Sequence, residues 1–280
     1  MTRRLLLTGA SGRLGSHVVP ELQSRDFELI APGLAGMPAR VDLASPGGSR
    51  AAVLASQPEI VVHLAGAVPG RGRRFEENES VTAELAAAAA EAGARLLVFI
   101  SSAAVYGDRR TWPLVESEAL EPSSDYGRSK AAAERALASS GVPAVVLRVF
   151  NVYGTGFDDS LVNRLVASTP DRPVELRGLG GFVRDYVSAA DVARAVASAA
   201  LVEPQDGFVA MNIGSGVPRS NRELLDELSQ YCEVHWTDVG GPTTTSVADI
   251  GRAQRMIAFA PTASLDLGGL LPRSGSLDHG

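Results

Sequence analysis

Tyr126 and Lys130 have residue types and a spacing that suit proton transfer. They lie in the segment Y-G-R-S-K, near the start of a predicted helix. Because positions i and i+4 share one helix face, the Lys130 ammonium can approach the Tyr126 phenol. A phenol, with an ordinary pKa of about 10, is a poor base at neutral pH, but a neighbouring cation favours the phenolate. The pair therefore predicts a proton relay to a carbinol oxygen while a hydride moves to or from a nicotinamide.

Two serines, Ser101 and Ser102, end the fourth predicted strand. The carboxyl edge of a parallel sheet is where such folds bind ligands. A hydroxyl group at this edge can hold the reacting oxygen. A glycine turn, strand-end serines and Y-x-x-x-K, each in the correct element, rarely coincide by chance.

The glycine-rich turn T-G-A-S-G-R-L-G at residues 8–15 follows the first predicted strand and opens the first predicted helix. A dinucleotide pyrophosphate can bind free backbone N–H groups there. The second strand ends without the carboxylate that many NAD sites use for the ribose 2′-hydroxyl. Arg13 can pair with a 2′-phosphate, and Arg40 is a weaker second candidate that by itself is better explained as a solvated surface residue. The sequence therefore favours NADP(H), with NAD(H) as the alternative.

Short apolar runs alternate with longer Ala-rich or amphipathic stretches, which is the pattern of strand-helix units on a parallel sheet. The predicted strands are Arg4–Thr8, Phe27–Ala31, Ile60–Leu64, Leu96–Ser101, Ala144–Val149 and Phe208–Ile213. The predicted helices are 13–25, 47–56, 78–93, 125–140 and 189–202. These elements predict an α/β protein, a Rossmann-type doubly wound parallel sheet.

The alternation weakens after residue 150, where glycines mark a loop-rich stretch. We therefore expect a smaller C-terminal substrate-binding lobe. The predicted division assigns residues 1–150 and 188–213 to the dinucleotide-binding domain, and residues 151–187 and 214–280 to the lobe.

Composition excludes several classes of protein. Hydrophobic residues make up 45% and charged residues 21% of the chain, which excludes intrinsic disorder. A net charge of −6 argues against a protein that coats nucleic acid or acidic lipid. One cysteine, Cys232, and four scattered histidines predict neither a disulfide nor a metal site. The apolar runs are too short to cross a membrane, so we expect a cytoplasmic protein.

These motifs resemble those of the extended short-chain dehydrogenase/reductases, also called NAD-dependent epimerase/dehydratases. The resemblance covers nearly the whole chain. The matching segments are the turn at 8–15, Asp42-Leu43, residues 63–66, residues 101–107, residues 126–130, residues 148–154, residues 184–187 with Asp191, and residues 212–216.

The resemblance implies a set of site residues. The catalytic residues would be Ser102, Tyr126 and Lys130. The cofactor would contact Gly9, Ser11, Gly12, Arg13, Leu14, Gly15, Asp42, Leu43, Leu64, Ala65, Gly66, Ser101, Tyr126, Lys130 and Val149, with Asp42 and Leu43 by the adenine. Ser102, Asn151 and Arg184 would contact the substrate, the last two at a nucleotide-sugar diphosphate.

Departures from the family pattern narrow the chemistry. The 4,6-dehydratases carry Asp-Glu where this chain has Ala103-Ala104, so water elimination lacks its acid/base pair. The short connection between the second and third strands resembles that of dTDP-4-dehydrorhamnose reductases. We therefore expect an NAD(P)H-dependent ketoreductase acting at C4 of a nucleotide-activated keto-deoxysugar. The alternatives are an NAD-dependent nucleotide-sugar C4 epimerase, a reductase of a non-sugar natural-product carbonyl, or a dinucleotide-sensing regulator.

A second diphosphate-binding arginine, usual in the family, is missing from residues 239–247. Either another arginine substitutes or the substrate lacks a diphosphate; the candidates are Arg222, Arg252, Arg71, Arg73 and Arg74. The neighbours Arg184 and Asp185 can also be interpreted as a surface ion pair. Finally, helices 78–93 and 125–140 predict a homodimer, because the family often pairs the equivalent helices across a two-fold axis.

Overall fold

The computed structural model describes residues 2–38, 41–69, 74–108, 112–203 and 207–271. The strands are β1 (Arg3–Thr8), β2 (Phe27–Ile30), β3 (Ile60–His63), β4 (Leu96–Ser102), β5 (Ala144–Val149), β6 (Asn151–Tyr153), β7 (Val174–Leu176), β8 (Phe182–Ser188), β9 (Phe208–Ile213), β10 (Pro218–Ser220), β11 (Trp236–Asp238) and β12 (Thr244–Ser246). The helices are α1 (Arg13–Gln23), α2 (Gly48–Ser56), α3 (Glu76–Glu91), α4 (Asp125–Ala138), α5 (Leu161–Val166), α6 (Ala189–Ala199), α7 (Asn221–Leu228) and α8 (Gly251–Ile257). Within these ranges, no helix is long and apolar enough to cross a bilayer.

The main sheet has six parallel strands in the order β2-β1-β3-β4-β5-β9. Its strands agree with the six predicted ones to within one residue at each end. Along β1, Leu5 and Leu7 pack in one apolar cluster and Leu6 packs in another. Because side chains alternate across a strand, both faces of the sheet are covered, which explains the uninterrupted apolar runs.

Helices supply the two covering layers. Val18 of α1 and Val192 of α6 belong to the first cluster. Val53 of α2, Leu85 of α3 and Leu137 of α4 belong to the second. The predicted α/β class with a doubly wound parallel sheet is confirmed.

The strand order reverses between β1 and β3. The chain leaves β1 for β2 on one side and then crosses through α2 to β3 on the other side. In open α/β sheets, ligands bind outside the carboxyl ends of the strands at such a reversal. The glycine turn after β1 and residues 64–66 after β3 both lie at this edge.

Smaller sheets form beyond β5. Strands β10, β8 and β12 are neighbours, β6 pairs with β8, and β7 pairs with β11. Asp185 of β8 is fully buried and accepts hydrogen bonds from the backbone N–H groups of Ser215 at 2.6 Å, Gly216 at 2.9 Å and Ala248 at 3.1 Å. This carboxylate therefore joins three chain segments. The division of the chain into a dinucleotide domain and a lobe stays a prediction.

Candidate active site

The glycine turn is shaped so that only glycine fits at two positions. Gly9 has φ +78°, and a Cβ there would lie 2.6 Å from the backbone nitrogen of Ala65. A Cβ on Gly15 would lie 2.3 Å from the carbonyl oxygens of Gly9 and Ala10. These approaches bring the start of α1 against β1 and the segment after β3.

The first turn of α1 leaves backbone donors available. Gly12 caps the helix in an extended conformation, and no side chain bonds to the first-turn N–H groups. Such a terminus attracts a phosphate group, both through its N–H groups and through the helix dipole. The residues present therefore fit a dinucleotide pyrophosphate.

A cleft of about 1420 Å³ opens at the carboxyl edge of the sheet. It brings together every site residue predicted from the sequence: Gly9, Ser11, Gly12, Arg13, Leu14, Gly15, Asp42, Leu43, Leu64, Ala65, Gly66, Ser101, Ser102, Tyr126, Lys130, Val149, Asn151 and Arg184. Their predicted roles stay predictions.

The side chains of Tyr126 and Ser102 are close enough to interact. Burial raises the pKa of Tyr126, while the Ser102 hydroxyl and the charge of Arg13 lower it. The phenol can thus exchange a proton with an oxygen bound beside Ser102.

Lys130 is the sole lysine of the chain, beside 25 arginines. Its Nζ donates a hydrogen bond to the carbonyl oxygen of Ile100 at 2.9 Å and lies 4.7 Å from the centre of the Phe99 ring. Burial lowers the pKa of Lys130 to about 8, and Glu134 opposes that shift. This ammonium donates to the backbone of β4, and Arg13 is the cation that lowers the pKa of Tyr126. The expected effect of Lys130 on Tyr126 stays a prediction.

The Ser101 side chain does not have the environment expected of a residue that contacts the cofactor. Its hydroxyl donates to Oε1 of Glu134 at 2.5 Å, and the residue is buried. Neighbouring residues of a strand face opposite sides. The Ser101 hydroxyl therefore points into the protein interior and bonds to Glu134, although the residue borders the cleft.

Arg13 does not have the environment expected of a 2′-phosphate ligand. Its guanidinium forms an ion pair with Asp159 and lies 4.9 Å from the centre of the Phe157 ring. Both partners belong to the segment after β6, on the opposite wall of the cleft. Arg13 is therefore already paired and is not free to bind a 2′-phosphate. The other candidate, Arg40, lies outside the described residues.

Arg184 is held by neutral groups only. Nη1 donates to the carbonyl oxygens of Val183 at 2.8 Å and Thr244 at 3.1 Å, and Nη2 donates to Thr244 Oγ1 at 2.9 Å. The guanidinium carbon lies 3.6 Å from the centre of the Phe182 ring. Burial lowers the pKa of Arg184, since no carboxylate pairs with it in the described part of the chain. The interpretation of Arg184 and Asp185 as an ion pair is therefore wrong.

The edge of Arg184 carrying Nε and the second Nη2 proton has no partner within the described ranges. That edge has the geometry that grips a phosphate or carboxylate with two parallel hydrogen bonds. Asn151, which also borders the cleft, donates to the carbonyl oxygen of Asp185 at 2.8 Å.

The substitutes for the missing arginine that lie within the described residues, Arg74, Arg222 and Arg252, do not line the cleft. Arg252 lies beside Glu116, with Nε 3.6 Å from its carboxylate, and Arg222 borders a separate surface groove. Arg74 is exposed beside Glu77. Arg71 and Arg73 lie outside the described residues.

Sequence reasoning missed two arginines and an asparagine that line the cleft. Arg164 of α5 and Arg177 after β7 are exposed there, and neither guanidinium has an acidic partner among the described residues. The signal for Arg164 was its i+4 spacing from Ser160, which also lines the cleft. Asn78 of α3 is buried, accepts from Ala67 N–H at 2.6 Å and donates to Ser129 Oγ at 3.0 Å.

No group of three His, Cys, Asp or Glu side chains in the described part of the chain is arranged to hold a metal ion.

The fold and the cleft define a dinucleotide-dependent enzyme of the Rossmann type. The chain belongs to the NAD dependent epimerase/dehydratase family, whose model matches residues 5–214. The resemblance noted from the motifs is thus confirmed.

Known relatives cover nearly the whole chain. A UDP-glucose 4-epimerase of Rhizobium meliloti (strain 1021) is 26% identical, over 93% of this chain and 93% of that protein. A dTDP-glucose 4,6-dehydratase of Streptomyces griseus is 31% identical, over 95% of this chain and 91% of that protein. The solved structure of MoeE5 in complex with UDP-glucose and NAD has a TM-score of 0.81 and 29% identity, covering 95% of this chain and 96% of that one.

His63 generates a prediction about acid stability. Burial lowers the pKa of His63 to about 3 from 6.5, and the charge of Lys130 acts in the same direction. Below pH 6.5 the His63 side chain is protonated in the unfolded chain but stays neutral in the folded protein. The free energy of unfolding therefore decreases as the pH falls from 6.5 toward 3. Between pH 7 and pH 4.5 we expect His63 to cost about 3 kcal/mol of unfolding free energy.

Urea unfolding at pH 7 and at pH 4.5 measures this difference in unfolding free energy. The uncharged variant His63→Gln should lose about 3 kcal/mol less than the wild type over the same interval. An equal loss in the two proteins would contradict the prediction.

Proposed function

We propose that this protein is an NAD-dependent nucleotide-sugar 4-epimerase. The observation that carries the proposal is the cleft itself, which joins the glycine cradle, the Ser102–Tyr126 pair and the unpartnered edge of Arg184. A relative named as a UDP-glucose 4-epimerase and a similar structure in complex with UDP-glucose and NAD support the proposal.

The expected ketoreductase has less support than the epimerase alternative. It rested on a preference for NADPH, and Arg13 is engaged with Asp159. Asp42, at the predicted adenine end of the cleft, adds a carboxylate that repels a 2′-phosphate. Both observations favour NAD.

Elimination chemistry is disfavoured by the residues after Ser102. One relative is named as a dTDP-glucose 4,6-dehydratase, but Ala103 and Ala104 offer this cleft no proton donor or acceptor. The chemistry that the cleft can still support is oxidation and reduction at a single carbon of the substrate.

The proposed mechanism assigns one task to each side chain. A dinucleotide held at the glycine turn would supply a nicotinamide that accepts and then donates the hydride at C4. Tyr126 takes the proton of the 4-hydroxyl group and later returns it, and Ser102 holds the same oxygen by a hydrogen bond. Lys130, charged at neutral pH, orients the reacting groups from the floor of the cleft. Proton and hydride both return to the sugar, so the reaction has no net oxidation.

Arg184 is the proposed anchor of the substrate. Its half-buried guanidinium forms no ion pair among the described residues, although the charge of Asp108 acts on it, and such a cation gains free energy by binding an anion. A sugar diphosphate is such an anion, and the exposed Arg164 and Arg177 add positive charge to the same cleft.

The homodimer and the cytoplasmic location remain predictions.

The cofactor preference is the first prediction of this function. NAD should bind more tightly than NADP, and Arg13→Ala should leave the ratio of the two affinities unchanged, because Asp159 already occupies this guanidinium. Isothermal titration with each dinucleotide measures the ratio. NADP binding equal to or tighter than that of NAD would contradict the prediction.

Removing the Tyr126 hydroxyl tests the catalytic assignment. Tyr126→Phe should slow interconversion of UDP-glucose and UDP-galactose by roughly 10²-fold or more, since a general acid/base group is lost. NAD affinity should stay close to that of the wild type. Full turnover in this variant would remove Tyr126 from the mechanism.

Substitution of Arg184 tests the substrate anchor. Arg184→Ala should weaken binding of UDP about tenfold or more, because a charge-assisted contact is worth about 1.5–3 kcal/mol. The exposed Arg172, which does not line the cleft, provides the matched control Arg172→Ala. Equal UDP affinity in both variants would show that the substrate is held elsewhere.

A further inference from the structure

Three consecutive residues at the end of β4 meet three residues of α4. The Ser102 hydroxyl acts on the Tyr126 phenol, the Ile100 carbonyl oxygen accepts from Lys130 at 2.9 Å, and the Ser101 hydroxyl donates to Glu134 at 2.5 Å. On α4 these partners are spaced four residues apart, at positions 126, 130 and 134, and so form one stripe. The first two contacts belong to the predicted catalytic trio, whereas the third has no assigned role.

Glu134 is a buried carboxylate with an unusually complete set of partners. Besides Ser101, it accepts from Arg148 of β5, with Nε 3.1 Å from Oε1 and Nη2 2.7 Å from Oε2. The side chains of Arg148 and Glu134 are 5% and 2% exposed. The Nη1 group of Arg148 donates in turn to the hydroxyl oxygen of Tyr106 and the carbonyl oxygen of Glu116, each at 3.0 Å.

A buried ion pair of this kind contributes little net free energy to folding. Desolvation of the two ions offsets most of their attraction, and apolar pairs of similar volume often stabilise as well or better. Fixing one geometry among several is the better explanation for such a pair. Here the ion pair fixes the position of α4 relative to the end of β4 and to β5.

The pair also shapes the charge around Lys130. The titratable groups that act on this ammonium are His63 of β3 and Glu134 of α4, and Arg148 of β5 lies beyond Glu134. Tyr126 precedes Lys130 by one turn of α4. Neither burial nor the neutral His63 stabilises the charged form of Lys130. Glu134 is the negative charge that opposes the effect of burial on Lys130.

We propose that the buried Glu134–Arg148 ion pair is the positioning element of the catalytic helix: it fixes Tyr126 and Lys130 against β4 and holds the Glu134 carboxylate one helical turn from Lys130. The proposal rests on the catalytic roles assigned above. Glu134 acts through Lys130 and Ser101 and does not itself touch the reacting atoms.

The test uses the holoenzyme and follows the pH profile of turnover. Glu134→Gln removes the charge and keeps the shape, so kcat should fall roughly 10- to 100-fold and the alkaline limb should move to lower pH by about one pH unit. Because this variant leaves Arg148 unpaired and can fail to fold, the double variant Glu134→Leu/Arg148→Met removes both charges together. The double variant should fold with a Tm near that of the wild type and show the same two changes.

Two further variants separate position from charge. Ser101→Ala removes one contact to β4 and leaves both charges, so it should lower kcat without moving the alkaline limb. Asp125→Asn, which breaks the exposed ion pair with Arg128 on the same helix, should change neither. Unchanged kcat in Ser101→Ala would overturn the positioning role.

A readout independent of turnover comes from the single lysine. In holoenzyme labelled with [13Cε]lysine, the one side-chain signal titrates with Lys130. Its midpoint should lie lower in Glu134→Gln and in the double variant than in the wild type. Wild-type midpoints, together with wild-type kcat and pH profile in the folded double variant, would overturn the proposal.

The failure of this inference can be told from failure of the proposed function. Full activity of Tyr126→Phe would reject the catalytic assignment itself. An inactive Tyr126→Phe beside a wild-type double variant would reject only the role of Glu134 and Arg148.

Discussion

Hydrogen bonds between the end of β4 and one stripe of α4 hold the reactive side chains in place. A helix lying on a parallel sheet can slide along it at small cost, because apolar contacts have no preferred register. The Lys130 bond to the Ile100 carbonyl oxygen and the Ser101 bond to Glu134 remove that freedom. Tyr126, Lys130 and Ser102 then all border the cleft at the sheet edge, where the cradle after β1 also opens.

The opposite wall of the cleft is built from another part of the chain. Strand β8 carries Arg184 on the cleft side and Asp185 on the interior side, where its carboxylate fixes Ser215 and Ala248. Strand alternation thus assigns one residue to the ligand and the next to the framework. The ion pair of Arg13 with Asp159 joins this wall to the glycine turn.

Much of the fold and part of the site could be predicted from sequence because they depend on local spacing. Apolar runs located the six strands, and Y-x-x-x-K placed Tyr126 and Lys130 on one face of α4. The partners of side chains could not be predicted in this way. Arg13 meets a residue 146 positions away, and the contact of Glu134 with Ser101 spans 33 positions. Such contacts depend on how the elements pack, which a single sequence does not encode in any short pattern.

The use of arginine for every basic side chain but one has a chemical consequence. Guanidinium groups keep their charge to a pH above 12, whereas amines lose theirs near pH 10. Lys130 is therefore the single side-chain amine in the protein, and it is buried beneath the cleft. Reagents that acylate amines find no lysine on the surface. Apart from the chain's amino terminus, covalent labelling by such a reagent would report the opening of the catalytic cleft alone.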